Sequence, residues 1–155
     1  MEEFFDKFEC AEKYGFYIFS SPIYYPFSFL RHCHIVLIEG GVVSRVEVWN
    51  FKNKKNIDLG FIHINLIPAL RGVRKFNFKK YPKFNCRLEG FISGDENSLA
   101  GKMVNFVNSE NINYPYKNKY RYFFKPNCNT FVSWVLSNFS DCGIKLPKTA
   151  IGKLK

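Results

Sequence analysis

The residues of this 155-residue chain best suited to covalent chemistry are five cysteines (Cys10, Cys33, Cys86, Cys128 and Cys142) and three histidines, two of which flank a cysteine in His32-Cys33-His34. The cysteine count is odd and shows no C-x-x-C pair, so reduced thiols are expected, with at least one free for chemistry. A thiol titrates near 8.5 and is mostly protonated at neutral pH, so it acts as a nucleophile only where its thiolate is stabilised. Cys128 has such a place. It lies in Pro126-Asn127-Cys128-Asn129-Thr130, just before Phe131, Val132, Val135, Leu136 and Phe139, which recur at helical spacing up to a stop at Gly143. Asn127 can cap that helix, which puts Cys128 in the first turn, where unpaired N–H groups stabilise an anion and can hold a developing oxyanion. A lone cysteine is most often a small buried hydrophobe, but the asparagines on either side are unlike a core position.

A histidine near the thiol would complete the activation by forming a thiolate–imidazolium pair and later protonating the leaving group. Residues 31–38 and 42–49 are rich in β-branched side chains and are joined through Glu39-Gly40-Gly41, a hairpin signal. A two-residue Gly40-Gly41 turn sets Glu39 opposite Val42, His34 opposite Glu47 and His32 opposite Trp49. Alternation then places His32, His34, Glu47 and Trp49 on one face, and Glu47 can orient and charge an imidazole. His32 and His34 at i, i+2 could also grip a metal with His63 or a cysteine as third ligand. No recognisable ligand spacing supports this, and neither metal nor cofactor is expected.

The rest of the chain supplies the frame. Strands are expected at residues 14–20, 61–67 and 84–92, and a helix at 95–108 with acidic residues at its start and Leu99, Met103, Phe106 and Val107 on one face. This is an α+β pattern, an antiparallel sheet packed against helices. There is no internal repeat, and the polar stretch 50–58 is the one candidate linker, so a single domain over residues 1–155 is expected.

Hydrophobic residues make up 46% and aromatics 19% of the chain, which excludes a disordered protein. The acidic opening Met1-Glu2-Glu3 is unlike a secretory signal, and the apolar stretch 16–30 is broken by Pro22 and Pro26, so a cytoplasmic protein is expected, specialised secretion aside. A net charge of +10 invites nucleic-acid or anionic-membrane partners. The lysines fall in short groups such as Lys52, Lys54 and Lys55 or Lys79 and Lys80, so no specific nucleic acid is expected.

Four stretches carry a resemblance. Tyr114-Pro115-Tyr116, Tyr120-Arg121, Pro126-Asn127-Cys128-Asn129-Thr130-Phe131 and Leu146-Pro147-Lys148-Thr149-Ala150-Ile151-Gly152-Lys153 resemble a bacterial family known as a domain of unknown function. That family is similar to the circularly permuted branch of the NlpC-type papain-like fold, which includes lecithin:retinol acyltransferase relatives. The resemblance implies a histidine strand preceding a cysteine helix, with His32 at the motif histidine, His34 in the place of a following aromatic and Glu47 at the polar third position. Many members carry Ser where Cys128 stands.

The expected function is a cysteine hydrolase or acyltransferase that cleaves an amide, ester or thioester bond through an acyl-enzyme on Cys128. His32 is the base, Glu47 orients it, and His34, Asn127 and His63 are second-rank candidates. Peptide, amide and lipid acyl groups are the substrate classes considered, with peptidoglycan common in the superfamily and an anionic membrane surface a candidate partner. The alternative is a non-catalytic binding module of the same fold that holds nucleic acid or anionic lipid on its basic surface.

Overall fold

A computed structural model describes residues 13–71, 86–109 and 112–154. Cys10, the acidic opening, Lys79 and Lys80, and the start of the strand expected at 84–92 lie outside these residues. The described part is α+β, with five antiparallel strands in the order β4-β3-β2-β1-β5 and two α-helices.

The two central strands are the apolar ones. Strand β1 (Tyr14–Pro22) is mostly aromatic, Ile and Ser residues, and β2 (Arg31–Glu39) pairs with it along its whole length, from Tyr14↔Glu39 to Pro22↔Arg31. Strand β3 (Val42–Val48) folds back through Gly40 and Gly41, whose φ values of 54° and 83° suit the tight turn that keeps strand twist continuous. The expected register is present from Glu39↔Val42 to Ile35↔Val46, where the ladder ends. Stretch 50–58 is the loop that leads into β4 (Ile62–Ile64), on the edge beside β3.

Strand β4 is shorter than the run expected at 61–67. Asn65 adopts φ 54°, outside the β region, and its side chain and N–H bond the N–H and carbonyl of Arg45. Strand β5 (Arg87–Gly94) lines the other edge, against β1.

Helix α1 (Leu99–Asn108), capped by Ser98, starts later than the expected 95, because the Asp95 carboxylate already accepts from the N–H groups of Asn97 and Ser98 and forms a turn of its own. Helix α2 (Cys128–Ser137) ends at Asn138, short of the expected stop at Gly143. Gly143, left-handed at φ 67°, instead closes a short 3-10 turn, Ser140–Cys142. Met103, Val104 and Val107 of α1 and Phe131, Val132 and Val135 of α2 pack with Phe16, Ile18, Ile35 and Leu37 into the main core. No helix among the described residues is long and apolar enough to cross a membrane.

Candidate active site

Asn127 starts the cysteine helix. Its Oδ1 accepts from the N–H groups of Asn129 and Thr130, and Thr130 Oγ1 accepts in return from the Asn127 N–H at 3.0 Å, a reciprocal cap. The N–H of Cys128 is the first-turn donor that this cap leaves over.

The cap is itself held by the C-terminal motif. Ile151 O accepts from Asn127 Nδ2 at 3.2 Å and from Asn129 Nδ2 at 2.8 Å, and Gly152 O accepts from Thr130 Oγ1. Lys153 Nζ donates to the carbonyls of Leu146 and Pro147 and closes the motif on itself. Gly152 is required twice over, since φ is 80° and an added Cβ would stand 2.2 Å from Asn127 Nδ2. Gly152→Ala is therefore expected to lower stability by about 1–3 kcal/mol, read as a drop in the urea midpoint without a change in slope. The Tyr114 motif serves the same helix from its other side, its buried ring packing against Phe131 and Trp134.

Asn129 fastens the helix to the histidine strand. Its Oδ1 accepts from Cys33 N at 2.9 Å and its Nδ2 donates to Arg31 O at 2.9 Å, while Arg31 N donates to Thr149 O. These are the β2 backbone groups left over where the β3 ladder stops at Ile35. One side chain thus brackets His32 from both sides and sets it against the neighbouring Cys128. Sequence reasoning treated Asn129 only as polar surroundings.

The His32 ring meets the thiol on one side and Glu47 on the other. His32 Nε2 lies 3.1 Å from Glu47 Oε2, so Nδ1 is the nitrogen left for Cys128. Burial alone would lower the ring's pKa, but the Cys128 sulfur, by charge and hydrogen bond, and the Glu47 carboxylate outweigh it and raise it to about 10. The Glu47 contact is diagonal across the hairpin, whereas direct opposition would have paired the carboxylate with His34.

Arg45, two residues before Glu47 on the same face of β3, completes the group. Its Nη2 donates to Glu47 Oε2 at 3.0 Å, and both side chains are buried. Burial pushes the Glu47 carboxyl up, yet the His32 hydrogen bond and the Arg45 charge prevail and hold it at about 2. Arg45 was missed in the sequence, although an arginine at i−2 from a buried carboxylate on a strand is the available signal.

The second-rank residues fall elsewhere. His34 is fully buried, stacked on Phe19, and neither ring nitrogen has a hydrogen-bond partner. Burial, then Arg45 and His32, drive its pKa well below the ordinary value, so it stays neutral. His63 stands across β4 from Glu47 but spends Nε2 on Phe51 O at 2.9 Å. Asn127 is occupied as the helix cap. Among the described residues no group of three or more His, Cys, Asp or Glu side chains is placed to hold a metal ion.

Cys128 and His32 open into a cavity of about 340 Å³, bounded by Tyr24, Phe27, Trp49, Tyr120, Tyr122 and Ile151 among others. The site therefore joins a thiol, an imidazole bonded to a buried carboxylate and an apolar cleft.

A family described as "Protein of unknown function (DUF3750)" matches residues 76–154. The chain belongs to this family. The DUF3750 match takes in Cys128, its Asn127 cap and the Leu146–Lys153 motif, and it stops short of His32, Arg45 and Glu47. Helix α2 and the segment that braces it are thus the DUF3750 part of the site, and the β2–β3 hairpin contributes the remainder. No curated protein and no solved structure matches the chain.

Proposed function

We infer that the protein is a thiol hydrolase or acyltransferase of the circularly permuted papain-like, NlpC-type kind, with an acyl-enzyme on Cys128. The observation that carries this reading is the line Cys128–His32–Glu47, in which the sulfur at the start of α2 lies beside a histidine that it helps to charge and whose Nε2 is held by a buried carboxylate, while the thiol donates to Asn129 Oδ1 at 3.6 Å. The strand–helix order, histidine before cysteine, agrees with a permuted arrangement.

With the proton of the pair already on His32 Nδ1, the Cys128 sulfur attacks as thiolate the carbonyl carbon of an amide, ester or thioester, forming the S–C bond. Negative charge on the carbonyl oxygen faces the Cys128 N–H. His32 returns the proton to the leaving amine, alcohol or thiol as its bond to carbon breaks. Water, or an acceptor nucleophile, then attacks the thioester, gives its proton to His32, and releases the Cys128 thiolate. Glu47 keeps Nε2 protonated and the ring in place throughout.

Selective labelling tests the first step. At about pH 6, iodoacetamide followed by peptide mapping is expected to modify Cys128 at least ~10-fold faster than Cys86 or Cys142. Equal rates at the three thiols would remove the basis for a nucleophile. His32→Ala is expected to slow Cys128 alkylation at that pH by roughly 10-fold or more, and His34→Ala to change it less, because of the two histidines it is His32 that interacts with the sulfur. A larger loss with His34→Ala would reassign the base.

A further inference from the structure

Around the mouth of the cleft the chain exposes an aromatic surface. Tyr24, Tyr25, Phe27 and Phe29 of the β1–β2 loop and Phe123 and Phe124 of the segment before α2 are all exposed, Tyr25 at 90% and Phe124 at 72%. Phe27 and Phe123 meet edge to face with ring centroids 4.9 Å apart, so the two segments form one rim. A hydrogen bond between Asn50 and Tyr122 ties in the β3–β4 loop, which adds exposed Phe51.

Water-facing surfaces rarely carry so many neighbouring large aromatics unless they meet another phase or partner. The charge on these segments is mainly positive, with the exposed Asp58 at the far end of the β3–β4 loop as the one carboxylate among their described residues. Residues 21–31, 48–57 and 112–140, which supply the rim itself, contain no Asp or Glu, and they carry the exposed cations Lys52, Lys119, Arg121 and Lys125. Tyr and Phe interleaved with Lys and Arg suit the headgroup layer of a bilayer, where rings reach the acyl boundary and cations stay among lipid phosphates. A single-stranded nucleic acid would use the same cations. The rim, however, runs into a cleft walled by Pro22, Ile23, Ile67 and Ile151, apolar space that a charged polymer leaves unfilled.

We propose that this rim is an interfacial docking surface for an anionic lipid bilayer, seating the Cys128 cleft against the membrane. Docking needs no thiol chemistry, so Cys128→Ala is expected to bind vesicles as the wild type does, which keeps the two readings separable.

The test is co-sedimentation of the full chain with vesicles of phosphatidylcholine alone or with ~30% phosphatidylglycerol, at about 50 and about 300 mM salt. Binding is expected on the anionic vesicles, weakening on pure phosphatidylcholine and at the higher salt. The double variant Tyr25→Ser/Phe124→Ser should bind at least ~10-fold less tightly, while Val42→Ser, an exposed apolar change at the start of β3 beside the Gly40-Gly41 turn, should not. In Phe124→Trp, lipids brominated on the acyl chains should quench the new indole. Absence of binding to anionic vesicles, or binding unaffected by the aromatic double variant, would overturn the proposal. So would an oligonucleotide that binds more tightly than the vesicles and loses affinity through the same double variant, since the rim would then be a nucleic-acid surface.

Discussion

Cys128→Ala is expected to abolish acyl transfer and hydrolysis, a loss of at least ~10³-fold in kcat, while the protein keeps its fold. The sulfur is the atom that bonds to the substrate carbon in the proposed mechanism, and among the described residues no other thiol is placed to replace it. Cys33 follows His32 on β2 but is fully buried, with burial raising its pKa, and Cys86 and Cys142 do not line the cleft. Removing one sulfur beside the Asn127 cap leaves the hydrogen bonds of that cap intact, because they run from Asn127, Asn129 and Thr130. The stability change is therefore expected near ~1 kcal/mol, or roughly 2–4 °C in Tm. Intact-mass spectrometry after incubation with p-nitrophenyl esters and acyl thioesters checks the covalent step. A mass increase by one acyl group is expected in the wild type and not in Cys128→Ala, and a variant with wild-type turnover would eliminate Cys128 as nucleophile.

Much of this site could be read from local sequence. The Gly40-Gly41 pair fixes a two-residue turn, and a turn of known length fixes register, which is why Glu39↔Val42 and the pairs after it could be written down in advance. Asn127 before an apolar helical run marks a helix start as firmly as a single sequence allows, and the Cys128 position follows from it.

What escaped the reading depends on contacts between distant parts of the chain. Asn129 bonds Cys33 and Arg31 across 96 and 98 positions, and no periodicity records that a side chain takes the place of a strand there. The hairpin rule assumes that pairing continues to His32, whereas it stops at Ile35, and the carboxylate reaches diagonally to His32 instead of directly to His34. The early end of β4 turns on one side chain, Asn65, capturing the Arg45 backbone. The motif Leu146–Lys153 was recognisable, but its work is structural: it presents the Ile151 and Gly152 carbonyls to the cap of α2.

Removing Glu47 is expected to have the largest effect on stability. Its Oε2 accepts from both Arg45 and His32, and all three side chains are largely withdrawn from water. Glu47→Ala would leave a buried guanidinium and a buried imidazolium without their anion, which typically costs about 3–5 kcal/mol. His32 can respond by losing its proton and Arg45 cannot, so Arg45 carries most of the loss. A double variant, Arg45→Met with Glu47→Leu, is expected to recover most of it, because desolvation of both charges is then avoided. The carboxyl also sets an acid limit. Its pKa lies at about 2 in the folded protein against an ordinary 4.5, so its contribution is complete above about pH 4.5 and is lost as the pH falls through 2. His32 acts at the other end: with a folded pKa of about 10, its contribution is complete below its ordinary 6.5 and disappears as the pH rises through 10. Urea unfolding of the wild type should therefore show stability falling below about pH 4.5, and Glu47→Gln should be less stable at neutral pH with a flatter acid limb. If Glu47→Gln keeps the wild-type acid limb, another carboxyl governs it and the charge assigned to this trio is wrong.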